Sequence, residues 1–193
     1  CDSENIDFFR DYLWDEKLDG NILCEGAQGF WLDINYGNYP YVTSSNTLPY
    51  GCCSLGFSTK DIHTIYGAVK IYDTRSGIDP EFPEDLFEDD DLKKIGEAGK
   101  EFGVTTGRKR KVNWLNLDKL IQSVNISGTT HCIISKTDVL VDVGLYKLFY
   151  RENLYNFDGL NSMTEFINEK LSKECKYLQK IIYSNNVETV EGL

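Results

Sequence analysis

The segment Phe102–Lys111 (FGVTTGRKRK) carries the residues best suited to binding an anion. Arg108 and Arg110 can each make a bidentate contact with a carboxylate or a phosphate. The two threonines before them add hydroxyl donors, and the two glycines allow the backbone to approach a ligand closely. This chemistry fits a loop that binds a small dicarboxylate or a phosphate. A solvent-facing basic turn fits the same composition equally well.

A second candidate is the pair Lys136 and Asp138, which follows a predicted strand. An Asp carboxylate can accept hydrogen bonds from the ring N–H and the exocyclic amine of guanine. A Lys stem can lie along the base plane while its ammonium stays in solvent. This is the guanine-reading arrangement of GTP-binding proteins. A Lys-x-Asp after a strand also occurs by chance, so the motif alone does not establish a guanine site.

Two further segments are rich in hydrogen-bonding groups. The stretch Tyr41–Thr47 (YVTSSNT) offers five side-chain hydrogen-bonding groups in a row, and the small-residue turn Glu25–Gly29 contains Gln28. In isolation each could be a turn and nothing more. Taken with the other two candidates, they indicate a site for an anionic, nucleotide-like ligand. The residues alone do not name the reaction.

Hydrophobic periodicity predicts the elements that must position these groups. Apolar residues at helical spacing predict helices over 3–17, 117–124 and 162–178, the second capped by Asn116 and the third opened by a capping box of Ser162 and Glu165. Apolar and β-branched runs predict strands over 22–24, 65–74, 131–135 and 180–183. Residues 33–56 read as a long loop. This alternation predicts an α/β fold with a mixed, largely parallel sheet flanked by helices.

Three polar segments each follow a predicted strand: Glu25–Gly29, Lys136–Asp138 and the tail at Ser184–Asn186. In open α/β sheets, ligands bind beyond the carboxyl ends of the strands. We therefore expect these segments to lie at one edge of the sheet.

The composition narrows the possible partners. The chain has 193 residues, 41% of them hydrophobic, and a net charge of −11. This acidity argues against nucleic-acid binding. No segment approaches the roughly 20 apolar residues that span a bilayer, and no signal peptide is visible, so no membrane partner and a cytoplasmic location are predicted. The acidic run at 79–91 reads as a solvated loop.

The cysteines and histidines do not suggest a metal site or a catalytic triad. None of the six cysteines forms a Cys-x-x-Cys pair, so zinc binding is not indicated and free thiols in a reducing compartment are expected. His63 and His131 each lie in a stretch of alternating apolar residues, which favours structural roles.

Four motifs, in this order, resemble those of the adenylosuccinate synthetases. They are CEGAQGFWLDINYGNYPYVTSSNT at Cys24–Thr47, YGAVKIYDTRSG at Tyr66–Gly77, EFGVTTGRKRK at Glu101–Lys111 and SKTDVL at Ser135–Leu140. The joint match is far more specific than any one string. The resemblance implies a partial P-loop-NTPase-like ligase fold, with residues 1–193 as a single C-terminal portion of such a domain.

The resemblance also implies roles for individual residues. IMP would be bound by Gln28, Thr43, Ser76, Gly77 and Arg108, with Gln28 also acting in catalysis by stabilising the developing oxyanion. Aspartate would be bound by Val104, Thr105, Thr106, Arg108 and Arg110. GTP would be bound by Arg110, Lys136, Asp138 and Ser184.

The family joins L-aspartate to the 6-position of IMP with GTP hydrolysis, and the resemblance implies a Mg²⁺-dependent, homodimeric carbon–nitrogen ligase of AMP biosynthesis. The family's glycine-rich phosphate loop is not in this chain. The Mg²⁺ ligands are therefore expected outside the chain, and the chain alone is expected to be inactive. Two alternatives stay open: a phage-type succinyl-aminoadenylate synthase acting on (d)GMP, and a non-catalytic nucleotide-binding paralogue.

Overall fold

A computed structural model describes residues 20–103 and 107–185. These residues form seven strands and four α-helices. The strands are β1 (Tyr66–Lys70), β2 (Tyr72–Arg75), β3 (Lys111–Asn116), β4 (His131–Ser135), β5 (Lys147–Tyr150), β6 (Asn153–Asn156) and β7 (Lys180–Tyr183). The helices are α1 (Asp90–Ala98), α2 (Leu117–Ser127), α3 (Thr137–Val143) and α4 (Leu160–Glu174). The predicted helix over 3–17 lies outside the described residues.

The strands form two sheets. Strands β1, β4 and β7 lie side by side in that order and are all parallel. The second sheet has the order β2-β3-β5-β6, in which β3 and β5 are parallel and the outer strands run antiparallel to their neighbours. Three of the five pairings in the described part of the chain are therefore parallel, which confirms the predicted mixed α/β fold.

The predicted strand over 65–74 is in fact two strands that belong to different sheets. The break falls at Ile71, whose side chain is fully buried and whose N–H donates to the carbonyl of Ser135 (3.0 Å). Tyr72 then pairs with Trp114 of the second sheet. A continuous run of strand-forming residues cannot show such a change of partner, because the local pattern is the same whichever strand lies beside it. The crossing joins both sheets to one hydrophobic core, which contains Leu115, Ile134 and Leu148.

Helix α2 begins as predicted. The side chain of Asn116 accepts a hydrogen bond from the N–H of Lys119 (3.1 Å), which satisfies one of the free amide groups of the first turn. The buried side chains of this helix are the predicted apolar set, Leu117, Leu120, Ile121 and Val124. The predicted strands over 131–135 and 180–183 are also confirmed, as β4 and β7.

The prediction for the last helix was wrong at both ends. Helix α4 starts at Leu160, two residues early, so Ser162 is its third residue and not its cap. The Ser162 hydroxyl donates to the carbonyl of Gly159 (2.9 Å), and no capping box with Glu165 forms. The helix ends at Glu174, but Leu178 still packs against the core from the segment that follows.

Two other predictions were wrong. Residues 22–24 form no strand with any described residue, and the side chain of Leu23 is 82% exposed. A strand needs a partner for its backbone groups, and three apolar residues do not supply one. The acidic run is not one loop, because α1 begins inside it. The Asp89 carboxylate caps that helix through the N–H groups of Asp91 and Leu92 (both 2.9 Å), where negative charge is favourable.

Asp73, on β2, predicts a pH dependence of stability. Burial raises the pKa of this carboxyl from 3.8 to about 6, although the N–H of Asn116 (2.9 Å) and the charge of Lys119 partly oppose the shift. A carboxyl with a raised pKa binds more protons in the folded state. Its contribution is therefore largest below about pH 4 and is lost as the pH rises through about 6.

We expect Asp73→Asn to reduce the fall in unfolding free energy between pH 4 and pH 7 by about 1–3 kcal/mol. Urea titrations at both pH values would measure it. Asp142→Asn removes an exposed carboxylate from α3 and serves as the control. The same change in both variants would mean that net charge, and not the buried position, causes the effect.

Candidate functional site

The carboxyl ends of β4 and β7 bring two of the predicted segments together. Thr137, just after β4, donates through its hydroxyl to the carbonyl of Ser184, just after β7 (3.2 Å). Ser184 is 6% exposed, and its N–H donates to the carbonyl of Ile134 (2.9 Å). Asp138 lies in the first turn of α3 with its side chain exposed. The carboxylate predicted to read guanine is therefore accessible at the edge of the parallel sheet.

Lys136 connects this edge to the segment before the basic loop. Its backbone is left-handed (φ 67°), and its ammonium donates to the carbonyl of Gly99 (3.1 Å). The ammonium is thus held by the protein and not simply solvated, while the stem spans the distance between the two segments. The third predicted segment, Glu25–Gly29, follows no strand, so its predicted position at a strand end was wrong.

Glu101 is a buried carboxylate at the base of the loop. It is 3% exposed. Its Oε2 accepts hydrogen bonds from Lys70 (2.7 Å) and Arg110 (3.2 Å), and its Oε1 accepts one from the Tyr72 hydroxyl (2.8 Å). Burial alone would raise the pKa of Glu101, but the hydrogen bonds from Lys70 and Tyr72 outweigh it and lower the pKa. Glu101 is therefore ionised and holds Arg110 in place.

The loop itself is closed by short backbone contacts. Phe102 and Lys109 form an antiparallel bridge, and the N–H of Gly103 donates to the carbonyl of Arg108 (2.8 Å). Gly107 has φ 63°, a left-handed conformation that glycine adopts without strain. Arg108 is exposed at the closing end. The predicted aspartate-binding residues Val104, Thr105 and Thr106 lie outside the described residues.

The four cations of this loop divide into two kinds. Arg108 and Lys109 are exposed, whereas Arg110 is half-buried and Lys111 is buried. Lys111 is 5% exposed, because β3 begins there, and its ammonium contacts the carbonyl of Gly77 (3.2 Å) and the Glu84 carboxylate (2.6 Å). The predicted ribose-binding pair, Ser76 and Gly77, is thus attached to the end of the basic loop.

Asp33 organises the segment that contains Thr43. Its side chain has no exposed surface. One carboxylate oxygen accepts hydrogen bonds from the N–H groups of Asn35 (2.8 Å) and Tyr36 (3.2 Å), and the other accepts one from Thr47 (2.6 Å). The N–H of Thr43 donates to the carbonyl of Leu32 (2.8 Å), which leaves its half-buried side chain as the group available to a ligand.

This segment also reaches the turn of Gln28. The Thr47 hydroxyl donates to the carbonyl of Gly29 (3.1 Å). Gln28 precedes that glycine with φ 64° and an exposed side chain. A left-handed conformation at a residue other than glycine, asparagine or aspartate is uncommon, and such strain occurs often at binding sites.

Sequence reasoning assigned no role to Asp33, Glu101 or Lys111. Each of them lies inside one of the four motifs. A charged residue between apolar or glycine positions was the signal that could have indicated a buried, structural charge. Among the described residues, no three His, Cys, Asp or Glu side chains are placed to hold a metal ion. The described cysteines are free thiols, as predicted. No described helix has the length and apolar character that crossing a bilayer requires.

Comparison with known proteins gives the family. The family model described as adenylosuccinate synthetase matches residues 6–182. An adenylosuccinate synthetase of Christiangramia forsetii is 41% identical over 183 residues, which is 94% of this chain and 39% of the relative. One of Parabacteroides distasonis is 48% identical over 140 residues, which is 72% of this chain and 31% of the relative. The chain thus spans about a third to two fifths of these relatives.

Solved structures agree with the sequence relatives. The fully ligated adenylosuccinate synthetase of Plasmodium falciparum superposes with a TM-score of 0.70 at 25% identity, covering 83% of this chain and 46% of that one. A cyanophage S-2L succinoaminodeoxyadenylate synthetase, bound to dGMP and dATP, shares the fold at a TM-score of 0.54 and 15% identity, over 82% of this chain and 41% of that one. The family-model match covers most of the chain, and the chain belongs to the adenylosuccinate synthetase family.

Proposed function

We propose that the protein containing this chain joins L-aspartate to the 6-position of IMP with hydrolysis of GTP. The observation that carries the proposal is the contact network that connects the four motif segments. Lys136 contacts Gly99, next to the basic loop, and Lys111 of that loop contacts Gly77. Arg75, in the same motif as Gly77, donates to the carbonyl of Tyr41 in the first motif. Residues assigned to three different ligands are thereby held in one continuous region, as a reaction among three substrates requires.

The acceptor nucleotide would lie along the first two segments. The Thr43 hydroxyl would hold the 5′-phosphate, and Ser76 with Gly77 would contact the ribose. The exposed amide of Gln28 would bind the base and stabilise charge on the 6-oxygen as N1 loses its proton to a base outside the described residues and the oxygen attacks the γ-phosphate of GTP. GDP leaves in this step. The amine of aspartate then attacks C6 and loses a proton, and phosphate leaves.

The other two substrates would lie at the basic loop and the sheet edge. Val104, Thr105, Thr106 and Arg108 would bind the aspartate carboxylates. Arg110 would contact both aspartate and GTP from its position on Glu101. Asp138 would accept the guanine N–H groups, with the Lys136 stem beside the base and Ser184 at the neighbouring strand end.

Mg²⁺ would neutralise phosphate charge when bound. The described residues offer no cluster of ligands for it. Its ligands would come from the family's glycine-rich phosphate loop, which is not in this sequence, and no step above depends on it. A cytoplasmic homodimer belongs to the same proposal, and size-exclusion chromatography of the complete protein would test the dimer.

A turnover assay tests the proposal. The protein expressed from its complete gene is given L-aspartate and Mg²⁺ with IMP or dGMP, and with GTP or ATP, and the succinylated product is detected. We expect product from IMP and GTP. Product from dGMP but not from IMP would favour the phage-type reaction. The cyanophage enzyme shares the fold of this chain. No product from any pair would favour a non-catalytic nucleotide-binding protein.

We expect Arg108→Leu to raise the KM for aspartate about 10- to 100-fold. The exposed guanidinium would no longer form charge-assisted hydrogen bonds with a substrate carboxylate, each worth about 1.5–3 kcal/mol. Steady-state kinetics with aspartate as the varied substrate would measure it. Lys109→Leu removes an equal charge from the neighbouring exposed position, and we expect less than about a threefold change from the weak energetics of exposed charges. An unchanged aspartate KM in Arg108→Leu would contradict the assignment.

A further inference from the structure

Arg75 and Asp79 form a buried ion pair between the two segments assigned to the acceptor nucleotide. Arg75 is the last residue of β2, and its Nε lies 3.0 Å from Oδ2 of Asp79. The two side chains are only 9% and 5% exposed. A buried ion pair adds little net stability, because the loss of hydration offsets the attraction. The segments that the pair holds together therefore matter more than its net contribution to stability.

One further atom of each side chain contacts the Thr43 segment. Arg75 donates through Nη2 to the carbonyl of Tyr41, two residues before Thr43. Asp79 accepts a hydrogen bond on Oδ1 from the side chain of Asn38 (3.0 Å). These contacts join positions 34 and 41 residues apart in the chain. The pair therefore ties a distant loop segment to the end of β2 at two points.

The turn that the pair encloses carries the second acceptor segment. Ser76, Gly77 and Ile78 lie between Arg75 and Asp79, and all three are exposed. Asp79 Oδ1 also accepts the N–H of Glu81 (3.1 Å), which fixes the far side of the turn. The charged side chains of the pair are therefore buried, while the residues assigned to the ribose are exposed to solvent. The position of the ribose contacts relative to Thr43 thus depends on this ion pair and on its hydrogen bonds to Tyr41 and Asn38.

We propose that Arg75 and Asp79, together with Asn38, are positioning residues that set the spacing between the phosphate contact at Thr43 and the ribose contacts at Ser76 and Gly77. This inference rests on the proposed function, since it gives those contacts to a purine nucleoside monophosphate. A ligand that spans both segments loses affinity when their spacing is no longer fixed. The affinities for GTP and aspartate should not fall in this way, because these ligands are assigned to other segments.

Asn38→Ala provides the test, because it removes one tie and leaves the buried ion pair intact. In the protein expressed from its complete gene, we expect the KM for IMP to rise about 10-fold, the lower end of what the loss of one hydrogen bond to a charged group implies. The KM values for GTP and aspartate should change less than twofold by the same reasoning. Asn35→Ala is the matched control, since Asn35 lies in the same segment but its side chain contacts only Asn46 among the described hydrogen bonds.

A second measurement does not depend on turnover. Amide hydrogen exchange should become faster in residues 38–45 of both Asn38→Ala and Arg75→Lys, because lysine can meet Asp79 but cannot also reach Tyr41. Exchange in β4 and α2 should not change.

The outcomes separate the two proposals. If the unsubstituted protein neither binds nor converts IMP, the proposed function fails and the acceptor role of the pair fails with it. If IMP is converted but Asn38→Ala leaves its KM unchanged, or raises the KM for GTP equally, the function stands and the positioning role is overturned. An equal effect of Asn35→Ala on the KM for IMP would also overturn it.

Discussion

Replacing Glu101 by glutamine is expected to lower the free energy of unfolding by about 2–4 kcal/mol, because it removes the common counter-charge of two partly buried cations. Lys70 and Arg110 both contact the same carboxylate oxygen, at 2.7 and 3.2 Å. A glutamine that keeps its carbonyl oxygen toward Tyr72 would direct its N–H donors at both of them. The hydrogen bond from Tyr72 can survive in the variant, so the loss is attributable mainly to charge.

Thermal and urea unfolding would measure the effect, and the expected drop in Tm is about 5–12 °C for a chain of this size. Glu97→Gln removes an exposed carboxylate from α1 and serves as the matched control. The double variant Glu101→Gln/Lys70→Met should recover part of the stability, since it no longer leaves the Lys70 charge unpaired. Strictly additive losses in the double variant would show that Glu101 does not pair with Lys70.

The same variant has a characteristic pH dependence. The pKa of Glu101 is lowered in the folded state, so its stabilising contribution is present above the unfolded pKa of about 4.5 and is lost as the pH falls. Glu101→Gln should therefore differ most from the unsubstituted protein near neutral pH. The two should converge only as the pH falls through the lowered folded-state pKa of Glu101.

Local signals in the sequence were sufficient for several elements. Helix α2 was predicted with its cap because the Asn116 hydrogen bond and the apolar face involve residues three or four positions apart. Strands β4 and β7 were predicted because a short apolar run bounded by polar residues indicates a strand, whichever neighbour that strand pairs with. The parallel pairing of β4 and β7 then brings Asp138 and Ser184 to one edge, as expected from their positions after the strands.

Features set by distant partners could not be read in this way. The change of sheet at Ile71 depends on which strands lie beside it, and the hairpin of β5 and β6 has too few residues for a periodic signal. The cations from Arg108 to Lys111 look alike in the sequence, but the last one is buried because β3 begins there. Glu101 was part of a recognised motif, yet its function as an anchor depends on Lys70 and Tyr72, about thirty positions earlier.

Replacing Asp138 by asparagine is expected to change the nucleotide preference from GTP toward XTP. A carboxylate accepts hydrogen bonds from both the ring N–H and the exocyclic amine of guanine. Asparagine offers one acceptor and one donor. Its N–H₂ would face the amine donor of guanine, which is unfavourable, but it can donate to the 2-carbonyl of xanthine while its oxygen accepts from the ring N–H. Two charge-assisted bonds of about 1.5–3 kcal/mol each put the fall in kcat/KM for GTP on the order of 10²- to 10⁴-fold.

The position of Asp138 makes this substitution a clean test of base recognition. Its side chain is exposed, whereas the adjacent Thr137 is buried and bonded to Ser184, so the change should leave the packing of α3 intact. Kinetics of the complete protein with GTP, XTP and ATP would measure the ratio, and the KM values for IMP and aspartate should not move. Asp142→Asn, one turn later on the same helix and also exposed, should leave the preference for GTP unchanged. Equal use of GTP by the Asp138 variant and the unsubstituted protein would show that another group reads the base.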